Sequence, residues 1–233
     1  FCKHKLLVTF YDLFHLANPE LVNSFIKSTY AMIMFNAIKK RAKNIITISE
    51  FSKSEFHRLV GFPACRINVT PLGILNNINE KFKITESQKT KTPYILSVGN
   101  IKPHKNLVSL INAFINIKDQ IPHNLVLVGK KDGFISGDGN VGDLVLKYSD
   151  RILLTGFVNQ NRLDELYSFA DIFVFPSLYE GFGFPPLEAM VRKCPTLVSN
   201  VASIPEVCGN ASLYFDPKNV NELSKKMYEL LRC

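Results

Sequence analysis

The sequence predicts an α/β fold built on parallel sheets. Three observations predict it. Short apolar strand-like runs alternate with amphipathic helical stretches along almost all of the 233 residues. The composition, 46% hydrophobic and 21% charged, is that of a globular chain rather than a disordered one. A polar, Lys-rich stretch from about Ile74 to Thr92 interrupts the alternation and reads as a linker between two α/β portions.

Element by element, Leu6–Phe10 reads as a strand. Pro19–Lys43 has helical character, with Leu21, Val22, Phe25, Ile26, Met32 and Ile33 recurring and basic residues gathered at its end. Asn44–Ile48 is a strand, and Ser52 to Glu55 forms a capping box that opens a helix to about Val60. Ile67–Thr70 is a further strand, followed by turn chemistry at Pro71-Leu-Gly73. After the linker, strands are expected at Tyr94–Val98, Leu125–Val128, Ile152–Thr155, Ile172–Phe175, Thr196–Ser199 and Ser212–Phe215. Helices are expected between them at Leu107–Ile117, Val141–Tyr148, Arg162–Phe169, Leu187–Arg192 and Asn221–Leu231. The chain is thus divided into residues 1–78, a linker at 79–92 and a second portion at 93–233. At roughly 150 residues per domain, this length is one complete domain and a remainder, so a fragment is expected.

The formal net charge is +8 and the pI about 9.2. Nucleic acid, a phosphorylated small molecule or an acidic membrane face would each suit that sign. Nucleic acid is set aside because no array of interleaved aromatic and basic residues supports it. Cys2, Cys65, Cys194, Cys208 and Cys233 are scattered, with no CxxC and no zinc spacing, so reduced structural thiols of a cytoplasmic protein are expected. No run in the sequence approaches a membrane span, and no secretory leader is expected.

Parallel sheets bind ligands at the carboxyl ends of their strands, so the loops there are the places to search. The richest runs from Pro176 to Glu188. Gly181 and Gly183 let backbone approach a ligand, and Pro185 and Pro186 suit the first turn of a helix. The N-terminus of that helix carries about half a positive charge and open N–H donors. Since the prolines donate nothing, an anion there uses the N–H groups of Gly181, Phe182, Gly183, Phe184 and Leu187. Glu180 and Glu188 frame this cradle and are placed to accept bonds from hydroxyls on either side of a phosphate. A nucleotide sugar has that arrangement. The plain alternative is two ordinary surface carboxylates.

The loop Gly99-Asn100-Ile-Lys102-Pro-His104-Lys105-Asn106 follows the first strand of the second portion and brings a cation, Lys105, to the sheet edge. His104 is either a phosphate donor or polar surface. Thr155-Gly-Phe-Val158 could present backbone groups to a base edge, and Asn161 caps the helix after it. Gly137–Gly142 satisfies GxGxxG, but it begins far from its strand and on the second β/α unit, so a flexible glycine loop is expected and no dinucleotide site. No D-x-D pair is present to anchor a metal–diphosphate complex.

Taken together, Val98–Leu107, Thr155–Val158, Ala170–Ser177 and Glu180–Met190 resemble the donor domain of retaining glycosyltransferase family 4. Glu180 and Glu188 match its Glu-x7-Glu signature. Ile45–Lys53 and Ile67–Gly73 resemble the end of its acceptor domain. The resemblance implies the GT-B fold: a Rossmann-like donor domain at 93–233 and the C-terminal part of a second Rossmann-like acceptor domain at 1–78. It implies metal-independent transfer of a hexose with retention in the cleft between the domains, no cofactor, and a glycan or lipid-linked acceptor. Mannose from GDP-mannose is the expected donor, because Asn100–Asn106 is worded as in mannosyltransferase relatives. A UDP-sugar transferase and a non-catalytic nucleotide-sugar-binding module are the alternatives.

Carried over by position, Lys105 neutralises the departing diphosphate, and Phe182, Gly183 and Phe184 donate to it. Glu188 holds the ribose, Glu180 orients sugar hydroxyls, and Gly99 allows close approach of phosphate. The chain departs from the family pattern at Asn100 and His104, where relatives carry Arg, and at Tyr11-Asp12, where many show His-Asp. The early acceptor domain and its cleft histidine are missing, so this chain alone is expected to bind donor without turnover. The basic, apolar stretch Phe25–Lys43 admits peripheral contact with the inner membrane face, but a core-facing helix whose lysines complement its dipole is favoured.

Overall fold

The structure is a computed structural model that describes residues 6–22, 25–74, 92–129 and 139–232. Most of the stretch assigned as a linker lies outside these residues, as do Cys2 and Cys233. The chain folds as two compact units that are not contiguous in sequence. One holds the residues up to Gly73 with Tyr179–Gly183 and Ala202–Val207; the other holds Ile74–Leu178, Phe184–Val201 and Cys208–Cys233.

In the first unit, β1 (Leu6–Phe10), β2 (Ala42–Thr47) and β3 (Ile67–Val69) form a parallel sheet in that order. Phe10 lies opposite Thr47, and Ile45 opposite Ile67. Within the stretch expected as one helix, Pro19–Val22 (α2) and Phe25–Arg41 (α3) are helical, residues 23–24 lie outside the described residues, and a short α1 (Phe14–Ala17) comes before them. Ala31 and Phe35 of α3 are buried and Ile38 packs on the same cluster, the i, i+4, i+7 spacing of one helix face. Tyr30, Met32, Ile33 and Met34 are exposed, so the core-facing reading of this helix holds for one face only. Phe10 sits between Phe35 and Phe56, at centroid distances of 5.0 and 4.7 Å.

The next helix, α4 (Glu50–Val60), begins earlier than the expected capping box. Ser49 is its cap: the Ser49 hydroxyl accepts from the Ser52 N–H at 3.0 Å. Ser52 is instead buried in the first turn. Gly61 closes the helix in the left-handed region, at φ +67°, donating to the His57 carbonyl.

The second unit is a six-stranded parallel sheet in the order β6-β5-β4-β7-β8-β9. Its strands are β4 (Tyr94–Val98), β5 (Asn124–Val128), β6 (Ile152–Gly156), β7 (Ile172–Phe175), β8 (Thr196–Ser199) and β9 (Leu213–Phe215). Its helices are α5 (Leu107–Ile115), α6 (Gly139–Lys147), α7 (Gln160–Phe169), α8 (Phe184–Val191) and α10 (Val220–Leu231), while α9 (Ile204–Cys208) belongs to the first unit up to Val207. Strands β7 and β8 are buried at every residue because helices cover both sheet faces. The core joins Ile95, Leu110, Phe114, Leu125, Val174 and Leu197.

Differences from expectation are local. Asn159, not Asn161, caps α7, accepting from the Arg162 N–H at 2.9 Å; Asn161 lies inside the helix. Of the Gly137–Gly142 pattern, Gly139 to Gly142 form the first turn of α6 rather than a loop, and Gly137 and Asp138 lie outside the described residues. The strand order reverses between β4 and β7, whose following chains leave the same sheet edge in opposite directions. That is where an open α/β sheet has its crevice.

Candidate functional site

Three consecutive sheet neighbours, β4, β5 and β6, end at Gly99, Gly129 and at Gly156 itself. The Gly99 N–H donates to the Val128 carbonyl at 2.9 Å, and the Gly129 N–H to the Gly156 carbonyl at 3.2 Å. Backbones meet tightly here, since a β-carbon on Gly129 would lie 2.0 Å from the Gly99 carbonyl oxygen. Without side chains the strand ends leave a cavity of about 360 Å³. Its walls include Gly99, Asn100 and Lys105 from the first loop, Gly129 from the second, and Phe157 and Val158 from the third.

Four residues singled out from sequence therefore come together: Gly99, Asn100, Lys105 and Val158. Gly129, Phe157 and Leu163 also line the cavity and were not singled out. Lys105 ends a 3-10 turn, Pro103–Lys105, and its Nζ lies 5.3 Å from the Phe175 ring centroid. The electron-rich face of an aromatic ring attracts a cation placed over it.

The loop after β4 is fastened to the chain after β7. Asn106 adopts the left-handed conformation, φ +54°. Its Nδ2 donates to the Pro176 carbonyl at 3.1 Å and to the Pro217 carbonyl at 2.9 Å. The Ser109 hydroxyl donates to its Oδ1 at 2.7 Å, and the Leu178 N–H donates to the His104 carbonyl at 2.8 Å. His104 itself is half-buried. Desolvation, then Lys105 and Lys102, pull its pKa down to about 4, so it is neutral near pH 7. Near pH 7 it therefore brings no positive charge to this loop.

The Glu180–Glu188 segment is divided between the units. Tyr179–Gly183 packs within the first. The Gly181 carbonyl accepts from Ser49 at 2.8 Å and from Ser52 at 3.3 Å. A β-carbon on Gly181 would come within 2.4 Å of the Tyr11 carbonyl oxygen, so this glycine is required by packing alone. Ser203 donates to the carbonyls of Glu180 and Phe182, at 2.9 and 3.0 Å, and Phe182 is buried. With their carbonyls tied back, these peptides are held in one orientation.

In the second unit, α8 opens at Phe184, with Pro185 and Pro186 in its first turn as expected. Glu188 lies one turn in and does not line the cavity described above; its carboxylate accepts from the Tyr167 hydroxyl at 2.9 Å. Another cleft of about 500 Å³ lies beyond β8 and β9, where Lys226 is already paired with Glu222 at 2.6 Å. Among the described residues no three His, Cys, Asp or Glu gather as a metal site, and no helix is long and apolar enough to cross a membrane.

Residues 78–233 match the family described as glycosyl transferases group 1. Over 205 residues the chain is 34% identical to O-antigen chain mannosyltransferase B of Escherichia coli, covering 82% of this chain and 52% of that protein. It is 34% identical over 211 residues to O-antigen chain mannosyltransferase RfbU of Salmonella typhimurium, covering 90% of this chain and 56% of the relative. The chain thus spans about half the length of the curated relatives it matches. Among solved structures it is similar to Anabaena Alr3699/HepE in complex with UDP and glucose, at TM-score 0.78 and 19% identity over 97% of this chain and 62% of that one. That likeness shows the fold, GT-B. The match across the β4–α10 portion, where the strand-end cavity lies, makes the chain a member of the glycosyl transferases group 1 family.

Proposed function

We propose that this protein is a retaining glycosyltransferase that moves a hexose, mannose from GDP-mannose, to a glycan or lipid-linked acceptor without a metal or cofactor. The observation that carries this is the cavity at the ends of β4, β5 and β6, with Lys105 in its wall beside bare glycine backbone. Lys105 supplies positive charge where a diphosphate gains negative charge as the bond from the sugar breaks and the electron pair stays on the leaving oxygen. Gly99 admits the phosphate closely, Asn100 and His104 add neutral donors, and Val158 meets the base through its backbone. Phe182, Gly183 and Phe184 donate N–H groups to the diphosphate, helped by the positive end of the α8 dipole. Glu188 accepts from ribose hydroxyls and Glu180 from those of the sugar.

In this reading residues 93–233 bind the donor, 1–78 belong to the acceptor domain and 79–92 join them. The names of the two mannosyltransferase relatives support the choice of mannose. A UDP-sugar donor is the second reading, favoured by the UDP bound to HepE, whose fold this chain shares. A lipid-linked acceptor would place the protein at the cytoplasmic membrane face. Exposed Tyr30, Met32 and Ile33 on α3, followed by Lys39, Lys40 and Arg41, would be the contact there.

The test is calorimetric titration with GDP-mannose and UDP-glucose. GDP-mannose is expected to bind more tightly. Lys105→Ala should weaken it about tenfold or more, the scale of one charge-assisted hydrogen bond. Absence of binding by either donor, or indifference to Lys105→Ala, would refute the reading.

A further inference from the structure

Tyr167, in the last turns of α7, has no solvent exposure, yet its side chain ends in a polar group. A buried hydroxyl needs a partner, and here it donates to Oε2 of Glu188 at 2.9 Å. The ring is fixed from two sides. Phe173 of β7 lies 5.5 Å from it, and the Arg192 guanidinium lies 5.4 Å from its centroid. Arg192 also donates to the Glu188 backbone carbonyl at 2.9 Å and forms an ion pair with Asp164 of α7. Asp164, Tyr167, Glu188 and Arg192 therefore lock α7 and α8 together around one carboxylate. Among the described residues, the other carboxylate oxygen, Oε1, takes no hydrogen bond.

We infer that Tyr167 is a positioning residue, which fixes the Glu188 carboxylate in the one rotamer that presents Oε1 to the vicinal hydroxyls of a ribose. The inference rests on the nucleotide-sugar reading above and adds to it the part that orients its ribose ligand. A free glutamate side chain has three rotatable bonds, and ordering it on binding costs affinity. A carboxylate already held at one oxygen avoids that cost. Desolvation first, and the neighbouring Glu188 carboxylate next, push the Tyr167 hydroxyl well above its ordinary pKa. It therefore stays a donor at every working pH, and the acceptor role is left to Glu188. The opposite assignment, a tyrosine retained only to fill space, predicts that the ring matters and the hydroxyl does not.

Tyr167→Phe separates these, since it keeps the ring and removes the donor. GDP and UDP are each titrated beside the 2′,3′-dideoxy analogue, which lacks the hydroxyls that Glu188 would hold, and the tighter pair is followed. Tyr167→Phe is expected to weaken the nucleotide about tenfold and leave the dideoxy analogue unchanged. Equal weakening of both would mean a packing role and overturn the inference. No change in either, while Glu188→Ala weakens only the full nucleotide, would overturn the inference and leave the nucleotide reading standing. If Glu188→Ala also fails to discriminate, the ribose role of Glu188 falls, and the inference with it; failure of both GDP and UDP to bind would refute the nucleotide-sugar reading itself. Thermal unfolding checks that Tyr167→Phe folds. Should it not, Tyr167→Met, which fills the site without a donor, is titrated in its place and is expected to give the same selective loss; unselective loss would again overturn the inference.

Discussion

The carbonyl oxygen of Gly99 lies where a β-carbon of residue 129 would be, 2.0 Å from its ideal position. Backbone, not a yielding side chain, occupies that space. Any residue other than glycine at 129 must part the ends of β4 and β5, breaking the bond from the Gly99 N–H to the Val128 carbonyl. Gly129→Ala is expected to cost about 2–4 kcal/mol in urea unfolding, the range of strained core substitutions, and to weaken nucleotide binding. Gly73→Ala, where an added methyl meets nothing within 4 Å, should be near neutral.

Asn106 is a second point where one side chain fixes the cavity wall. Its amide donates to two carbonyls, of Pro176 and Pro217, while its backbone holds a left-handed turn. Asn106→Ala removes these two bonds and the one that Oδ1 accepts from Ser109, and adds backbone strain, so a loss of about 2–3 kcal/mol is expected. Asn106→Gly relieves the strain and should recover about 1 kcal/mol of it. Denaturant unfolding of the pair measures the difference; equal losses would show that the conformation carries no part of the cost.

The sheet of the second unit was legible because its strands are runs of buried apolar residues. Tyr94–Val98, Ile172–Phe175 and Thr196–Ser199 fall where the pattern puts them. Helix starts were less legible because capping residues come in clusters. Ser49 and Ser52, like Asn159 and Asn161, both fit the chemistry, and only the hydrogen bond chooses. The short α9 escaped because Ile204–Cys208 is too brief for a period and contains a proline. Within the site, Lys105 and Gly99 were legible as loop residues at a strand end. Gly129 was not, since its need for glycine comes from Gly99 on the neighbouring strand. The Tyr167–Glu188 bond spans 21 positions and depends on how α7 meets α8, which no local pattern encodes.

Ser49 ties the α4 cap to the Gly181 peptide, with its hydroxyl accepting from the Ser52 N–H and donating to the Gly181 carbonyl. Ser49→Ala removes the cap, at a cost of about 1–2 kcal/mol. The Gly181 carbonyl keeps a bond from the Ser52 hydroxyl at 3.3 Å. Removing both hydroxyls leaves that buried acceptor unpaired. The double variant should therefore lose more than the two single losses added, by about 1 kcal/mol or more. Strict additivity in thermal or urea unfolding would show that the Gly181 carbonyl finds another partner.

His104 makes stability depend on pH. Its folded pKa is pulled down to about 4 from an ordinary 6.5, chiefly by desolvation and then by Lys105 and Lys102. Between those values the unfolded chain binds the proton and the folded chain does not. Stability from this group is therefore complete above about pH 6.5 and is lost as pH falls towards 4. His123, lowered chiefly by desolvation, acts in the same direction. Allowing for the partial exposure of the ring, the His104 share is about 2 kcal/mol. His104→Gln, which keeps a neutral donor, should flatten that part of the curve in urea titrations from pH 7 to 4 and leave the portion due to His123. A diphosphate beside the ring would restore favourable surroundings for the proton. Nucleotide binding near pH 5.5 should then take up protons in the parent protein and fewer in His104→Gln, a difference read from binding heats in buffers of unlike ionisation enthalpy. Equal proton uptake in both would place the anion away from His104.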